Sequence, residues 1–331
     1  MSYIAVIGAG NWGTTLASML TEKGYDTCLW VYEEALCEEI NRTRINKDYL
    51  PEHKIPDSIL VTHDIKEAVG KARYILSVVP TQFVRGVFKD VLQYLRQDAV
   101  IISASKGIEK KSLLTVSSVI KGLTDHKVAV LSGPSFASEV MRRLPTAVTL
   151  SCDDAPTALL LQEIFNTAYF RVYTHDDTLG VELGGALKNV IAIASGISDG
   201  MGLGYNARAA LITRGLAEIK RLGIALGAKD ETFSGLSGLG DLILTCTGLL
   251  SRNYSLGIKL GQGMKLGDIL SATKSVVEGV ETSESAYELS KKCNVQMPIV
   301  EQVYMVIHAG KEPVTALREF MNRSLKTEFH A

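Results

Sequence analysis

The chain is 331 residues long, with 46% hydrophobic and 21% charged residues. That is long enough for two domains with separate cores and too apolar for a disordered or fibrous chain. Its 35 basic and 36 acidic residues leave a formal net charge of -1, so no global field recruits nucleic acid or an anionic membrane, and any bound phosphate has to be held locally.

Residues 1–21 carry no charged side chain. They lack the Lys/Arg start of a signal sequence and are interrupted by Gly8, Gly10, Asn11, Gly13, Thr14 and Thr15, so they read as a strand and a nucleotide-binding turn rather than as a membrane segment. No other stretch reads as long and apolar enough to cross a bilayer. The cysteines Cys28, Cys37, Cys152, Cys246 and Cys293 are odd in number and widely spaced, as expected of packing residues in a reducing compartment. The histidines His53, His63, His126, His175, His308 and His330 show no metal-ligand spacing, and no metal site is expected. The cytoplasm is the expected location.

Apolar runs at 3–7, 27–31, 59–61, 74–79, 100–103, 128–131 and 147–150 are mostly continuous rather than alternating. Such strands are buried on both faces, as in a parallel sheet covered by helices. Helical patterns at 13–23, 33–41 and 81–96 lie between them, and this rhythm of strand and helix continues to about Tyr173. Directly after the first strand the chain reads Gly8-Ala9-Gly10-Asn11-Trp12-Gly13. In a G-x-G-x-x-G turn the first glycine allows the tight bend, the second lets backbone approach a pyrophosphate, and the third lets the helix pack on the strand. The second strand ends in Trp30-Val31-Tyr32-Glu33-Glu34. Glu33 or Glu34 can accept the adenosine ribose hydroxyls and favour NAD, but both also suit the first turn of a helix, so NAD and NADP both remain open.

In an open parallel sheet, ligands sit beyond the carboxyl ends of the strands. There the chain places Pro80-Thr81, Ser105-Lys106-Gly107 and Gly133-Pro134-Ser135-Phe136-Ala137, and Lys106 offers a cation to a carbonyl or phosphate oxygen. After residue 177 the texture changes. There is no proline between Pro156 and Pro298, and the stretch 207–227 carries Ile212, Leu216, Ile219 and Leu226 at helical spacing. The expected architecture is therefore an α/β Rossmann-like domain with a mainly parallel sheet (1–177) followed by an all-α domain (178–331).

Between Glu182 and Asp199 the only charged residue is Lys188. Its helical face carries the small residues Gly184, Ala192 and Ser195, which suggests room for a ligand beside the ammonium; the alternative is close helix packing with the lysine stem reaching to solvent. Acting as an acid in a ketone reduction needs no large pKa change, since an ammonium already holds the proton that the forming alkoxide takes. Asp241 closes a glycine-rich stretch as a helix cap or hydrogen-bonding carboxylate. Arg252, in Ser251-Arg252-Asn253-Tyr254, reads as a phosphate fork or a surface residue.

In this order the motifs closely resemble the NAD(P)-dependent glycerol-3-phosphate dehydrogenases of the bacterial biosynthetic type. The likeness runs from Val6-Ile7-Gly8-Ala9-Gly10 through Gly184-Gly185-Ala186-Leu187-Lys188-Asn189 to Val276-Val277-Glu278-Gly279. It implies reversible hydride transfer between sn-glycerol 3-phosphate and dihydroxyacetone phosphate with NAD or NADP, supplying phospholipid synthesis. It also implies Lys188 as general acid/base and Lys106 as a lysine touching both cofactor and substrate. Gly133, Ser135, Asp241, Ser251, Arg252 and Asn253 fall on substrate positions. Gly8, Gly10, Asn11, Trp12, Gly13, Tyr32, Lys106, Ala137, Arg252, Val276 and Glu278 fall on cofactor positions. Asn11 and Trp12 stand where relatives often have Ser and Tyr, and Tyr32 where some carry His or a basic residue. A homodimer is expected, with a small-molecule substrate, no nucleic acid and no membrane insertion. The alternatives are a related 3-hydroxyacid or 6-phosphogluconate dehydrogenase and a non-catalytic dinucleotide sensor.

Overall fold

A computed structural model describes residues 3–272, 276–325 and 327–328. Eight strands, β1 (Tyr3–Ile7), β2 (Asp26–Trp30), β3 (Leu60–Thr62), β4 (Tyr74–Ser77), β5 (Val100–Ser103), β6 (Lys127–Ser132), β7 (Thr146–Cys152) and β8 (Phe170–His175), form one sheet in the order β3-β2-β1-β4-β5-β6-β7-β8. Every pairing is parallel except β6 with β7, which is antiparallel. The helices α1 (Asn11–Glu22), α2 (Glu34–Thr43), α3 (Ile65–Val69), α4 (Val84–Val91), α5 (Val116–Lys121), α6 (Ala137–Met141) and α7 (Ala155–Phe165) connect the strands.

The continuous apolar strands are explained by two cores. In β1, Ile4 and Val6 join a cluster with Leu16 and Leu20 of α1, while Ala5 and Ile7 join a second cluster with Val84 and Phe88 of α4. Successive side chains point to opposite faces, so burial on both faces removes the polar alternation. Strand β8 lies at the sheet edge and does alternate, with Phe170 and Val172 inward and Arg171 and Tyr173 outward; it was not among the expected runs. The pattern at 81–96, expected as one helix, is divided into a 3-10 turn at Thr81–Phe83, α4, and a second 3-10 turn at Leu92–Tyr94. In the first turn the Gln82 side chain donates to the Ile108 carbonyl at 2.9 Å and accepts from the Lys110 N–H at 2.9 Å, tying the segment after β4 to that after β5.

After β8 the chain is helical: α8 (Thr178–Gly200), α9 (Gly204–Ala225), α10 (Asp241–Thr247), α11 (Arg252–Gly261), α12 (Leu266–Ser271), α13 (Glu278–Lys292), α14 (Pro298–His308) and α15 (Pro313–Met321). Asp177 starts α8, its carboxylate accepting from the Gly180 N–H at 2.9 Å and from the Thr232 hydroxyl at 2.6 Å. Contrary to the sequence reading, α8 is long and apolar enough to cross a membrane, but 89% of its most apolar window is buried by the surrounding protein. Its hydrophobicity serves the core, in one cluster with Leu222, Phe233, Leu256 and Val280. Where α8 crosses α11 the backbones nearly touch. A Cβ at Gly196 would lie 2.1 Å from the Tyr254 carbonyl oxygen, and one at Gly257 would lie 2.2 Å from that of Ile193.

This crossing leaves no volume for a methyl group. Gly257→Ala should therefore lower stability by about 3 kcal/mol and Tm by about 5 °C or more, measured by calorimetry.

Candidate active site

Two glycines of the dinucleotide turn, Gly8 and Gly13, are required by its geometry. Gly8 has φ +112°, and a Cβ there would lie 2.9 Å from the Val78 carbonyl oxygen; a Cβ at Gly13 would lie 1.9 Å from the Gly8 carbonyl oxygen. Gly10 differs, because its φ is -65° and a Cβ on it would meet nothing within 4 Å. Its lack of a side chain is thus not needed for backbone conformation or internal packing, and it leaves the first turn of α1 open to a ligand. Gly10 is the N-cap of α1, no side chain caps the helix, and the first turn holds no acidic residue. That cradle fits a dinucleotide phosphate. The turn lies beside the β1/β4 junction, where the strand order reverses, the place where such sheets bind ligands.

Around it, the Asn11 side chain accepts from the Trp12 N–H at 2.8 Å, and the Trp12 ring packs against Phe170 with centroids 6.3 Å apart. Tyr32 is 76% exposed and edges onto Trp30. Glu33 is the N-cap of α2 without a side-chain cap bond, and Glu34 lies 3.6 Å from His63 Nε2. Ala137 begins α6, and its carbonyl faces the Thr15 hydroxyl at 3.5 Å.

Beyond the strand ends the two halves of the chain meet. Lys106, after β5, donates from Nζ to Asp241 Oδ2 at 2.6 Å and to the Gly133 carbonyl at 3.0 Å. Gly133 holds that carbonyl at φ +144°, and Ser135 Oγ donates to the same oxygen at 3.1 Å. From the other side Lys188 donates to Asp241 Oδ1 and to Thr245 Oγ1, the latter at 2.8 Å. A single carboxylate, only 1% exposed, therefore bridges two ammonium groups drawn from the sheet and from α8.

Burial lowers the Lys188 pKa from its usual 10.5 to about 7; the Asp241 carboxylate opposes this and the neighbouring Lys106 charge reinforces it. Desolvation disfavours the charged form, and a second cation nearby adds to that. Lys188 is buried and does not reach solvent by its stem. The small residues on its face do not leave an empty space either. A Cβ at Gly184 would lie 2.7 Å from the Ser237 carbonyl oxygen, and Ser195 Oγ donates to the Cys246 carbonyl at 2.9 Å. They admit the one-turn π-helix Leu236–Gly240 and α10, and so bring Asp241 and Thr245 against the lysine.

The wall at 251–253 divides its work. Ser251 caps α11 by accepting from the Tyr254 N–H at 3.2 Å. Asn253 is spent within the protein, donating to Asn189 Oδ1 at 2.9 Å and accepting from the Gly279 N–H at 2.9 Å. Arg252 is exposed, lining a cavity of about 210 Å³ with Leu249, Lys259 and Val277. Val276 is 38% exposed at the start of that segment. Glu278 accepts from the Thr81 N–H at 3.2 Å, and burial raises its carboxyl to about 7 despite the nearby Arg252 charge. Among the described residues, no three His, Cys, Asp or Glu side chains gather into a metal-binding set; His330 lies outside those residues.

Residues 3–158 match the model of the NAD-dependent glycerol-3-phosphate dehydrogenase N-terminus, and residues 177–318 match that of the C-terminus. The chain belongs to this family. A glycerol-3-phosphate dehydrogenase (NAD(P)+) of Geobacter sulfurreducens is 52% identical over 329 residues, covering 98% of each chain. Another of that name, from Geobacter sp. strain M21, is 53% identical with the same coverage. The crystal structure of glycerol-3-phosphate dehydrogenase from Coxiella burnetii is 40% identical and superposes with a TM-score of 0.94, over 97% of this chain and 99% of that one.

Within this family framework, two polar residues escaped the sequence reading. Thr245 holds Lys188, and its only signal was its position one helical turn after Asp241. Asn46, which no motif marked, is buried beneath the dinucleotide turn. Replacing Asn253 with Ala would strand Asn189 Oδ1 and the Gly279 N–H inside the protein. A loss of about 2 kcal/mol or more is expected in urea unfolding.

Proposed function

We propose that this chain is an NAD(P)-dependent glycerol-3-phosphate dehydrogenase that interconverts sn-glycerol 3-phosphate and dihydroxyacetone phosphate, in the cytoplasm and as a homodimer, supplying the backbone of phospholipids. The segment 1–177 holds the dinucleotide and 178–331 completes the substrate side. The observation that carries this reading is the buried Lys188, whose pKa near 7 results from its burial and its neighbours Asp241 and Lys106.

When bound, the nicotinamide supplies or takes the hydride at the carbinol carbon. The glycine turn at Gly8, Gly10 and Gly13 holds its phosphates, with Asn11, Trp12, Tyr32, Ala137, Val276 and Glu278 around it. Lys188 has three N–H donors, and Asp241 and Thr245 occupy two of them, leaving one for the substrate oxygen. In the reductive direction Lys188 Nζ gives its proton to that oxygen, and in the oxidative direction the neutral amine takes it back. Lys106, likewise with two donors engaged, adds positive charge beside the same oxygen as alkoxide character develops. Asp241 orients both ammonium groups. Arg252 anchors the substrate phosphate, so that binding energy far from the reacting carbon orients the ketone. A dinucleotide sensor would have no use for a proton donor tuned to neutral pH, which argues for catalysis.

Lys188→Ala should lower kcat by about two orders of magnitude or more while the Kd for NADH, followed by its fluorescence, changes little. Near-normal turnover of dihydroxyacetone phosphate would reject the role. Ketone reduction requires the protonated amine, so its kcat/KM should fall as pH rises through about 7, and alcohol oxidation should rise over the same interval. Asp241→Asn removes the charge that holds the Lys188 pKa up, so the same limb should move to lower pH, measured from pH profiles of kcat/KM.

A further inference from the structure

The segment 44–59 leaves α2 and returns beneath the dinucleotide turn. Arg44 ends α2 at φ +56°, and its guanidinium donates to the carbonyls of Pro56 at 2.7 Å and Ile59 at 2.8 Å, which closes the excursion on itself. From this excursion Asn46 enters the interior. It is 0% exposed and donates from Nδ2 to the Ala9 carbonyl at 2.7 Å and to Thr14 Oγ1 at 2.9 Å. Thr14 Oγ1 in turn donates to the same Ala9 carbonyl at 3.3 Å.

The peptide between Ala9 and Gly10 is planar and trans, since the described chain has no cis peptide bonds. In a trans unit the C=O and the following N–H point in opposite directions. Fixing the Ala9 oxygen inward therefore turns the Gly10 N–H outward, at a residue whose would-be Cβ meets nothing within 4 Å. Among the described residues, Asn46 Oδ1 has no hydrogen-bond partner. An amide kept in the interior with its acceptor idle is costly, and a hydrophobic residue would suit a purely packing role better. What Asn46 supplies is two donors at one point.

We propose that Asn46 is a positioning residue for the dinucleotide: by clamping the Ala9 carbonyl and Thr14, it aims the Gly10 N–H at the ligand's phosphate. The clamp acts before binding, so its loss appears as weaker nucleotide affinity rather than as slower chemistry. The proposal rests on the dehydrogenase reading above.

The test uses the whole protein and NADH titrated by fluorescence. Asn46→Ala and Asn46→Asp should each raise the Kd for NADH about tenfold or more, with Asp the worse because its carboxylate faces the Ala9 oxygen. At saturating NADH, kcat and the KM for dihydroxyacetone phosphate should stay within about threefold of the parent. A variant that folds, whatever its Tm, and binds NADH with unchanged Kd overturns the proposal. If neither Asn46 variant folds, Thr14→Val, which removes the other end of the clamp, carries the same test. It should weaken NADH about threefold, and an unchanged Kd again overturns the proposal. Failure of the parent protein itself to bind NADH would reject the dehydrogenase reading as well, so the two failures are distinguishable.

Discussion

The carboxylate of Asp241 has to be neutralised inside the protein, and two lysines from different halves of the chain do so. An unpaired carboxylate at this depth would be strongly disfavoured, so the sheet-borne Lys106 and the helix-borne Lys188 are each drawn to it. Buried ion pairs of this kind are often no more stabilising than a well-packed hydrophobic replacement, and a gain in stability is therefore a weak reason for the cluster. Its chemical consequence is stronger: one carboxylate cannot fully satisfy two ammonium groups, and the more deeply buried of the two is left easy to deprotonate.

The two lysines lie at different depths. The Lys188 side chain is 8% exposed and that of Lys106 is 19%. Both face the same carboxylate, and at the deeper position burial, reinforced by the neighbouring Lys106 charge, brings the Lys188 pKa down to about 7.

Much of the fold was legible because burial on both faces leaves an unmistakable record: β1, β4 and β5 read as unbroken apolar runs. The glycine turn was legible too, since Gly8 and Gly13 answer to steric demands that no other residue meets. The strand β8 was not among those runs, because its outer face is left open and Phe170-Arg171-Val172-Tyr173 alternates instead of forming a continuous apolar run. Of the candidate site, Lys188 stood out as a lone charge in an apolar helix. The bridging role of Asp241 did not, because its partners lie 53 and 135 positions away, and a carboxylate at a helix start has an ordinary local explanation. Ser251 and Asn253 were legible as polar neighbours of Arg252, but the hydrogen bonds of Asn253 reach Asn189 of α8 and Gly279 of α13, which no local pattern brings together.

The glycines of the helical half explain why the carboxylate is held so firmly. Gly184 lets the turn before α10 approach α8, and Gly238 in that turn packs so closely that a Cβ would lie 2.2 Å from the Phe233 carbonyl oxygen. Backbone pressed against backbone has little freedom to adjust, and the start of α10 inherits that rigidity. Asp241 and Thr245 thus meet Lys188 on a surface set by main-chain contact rather than by flexible side chains.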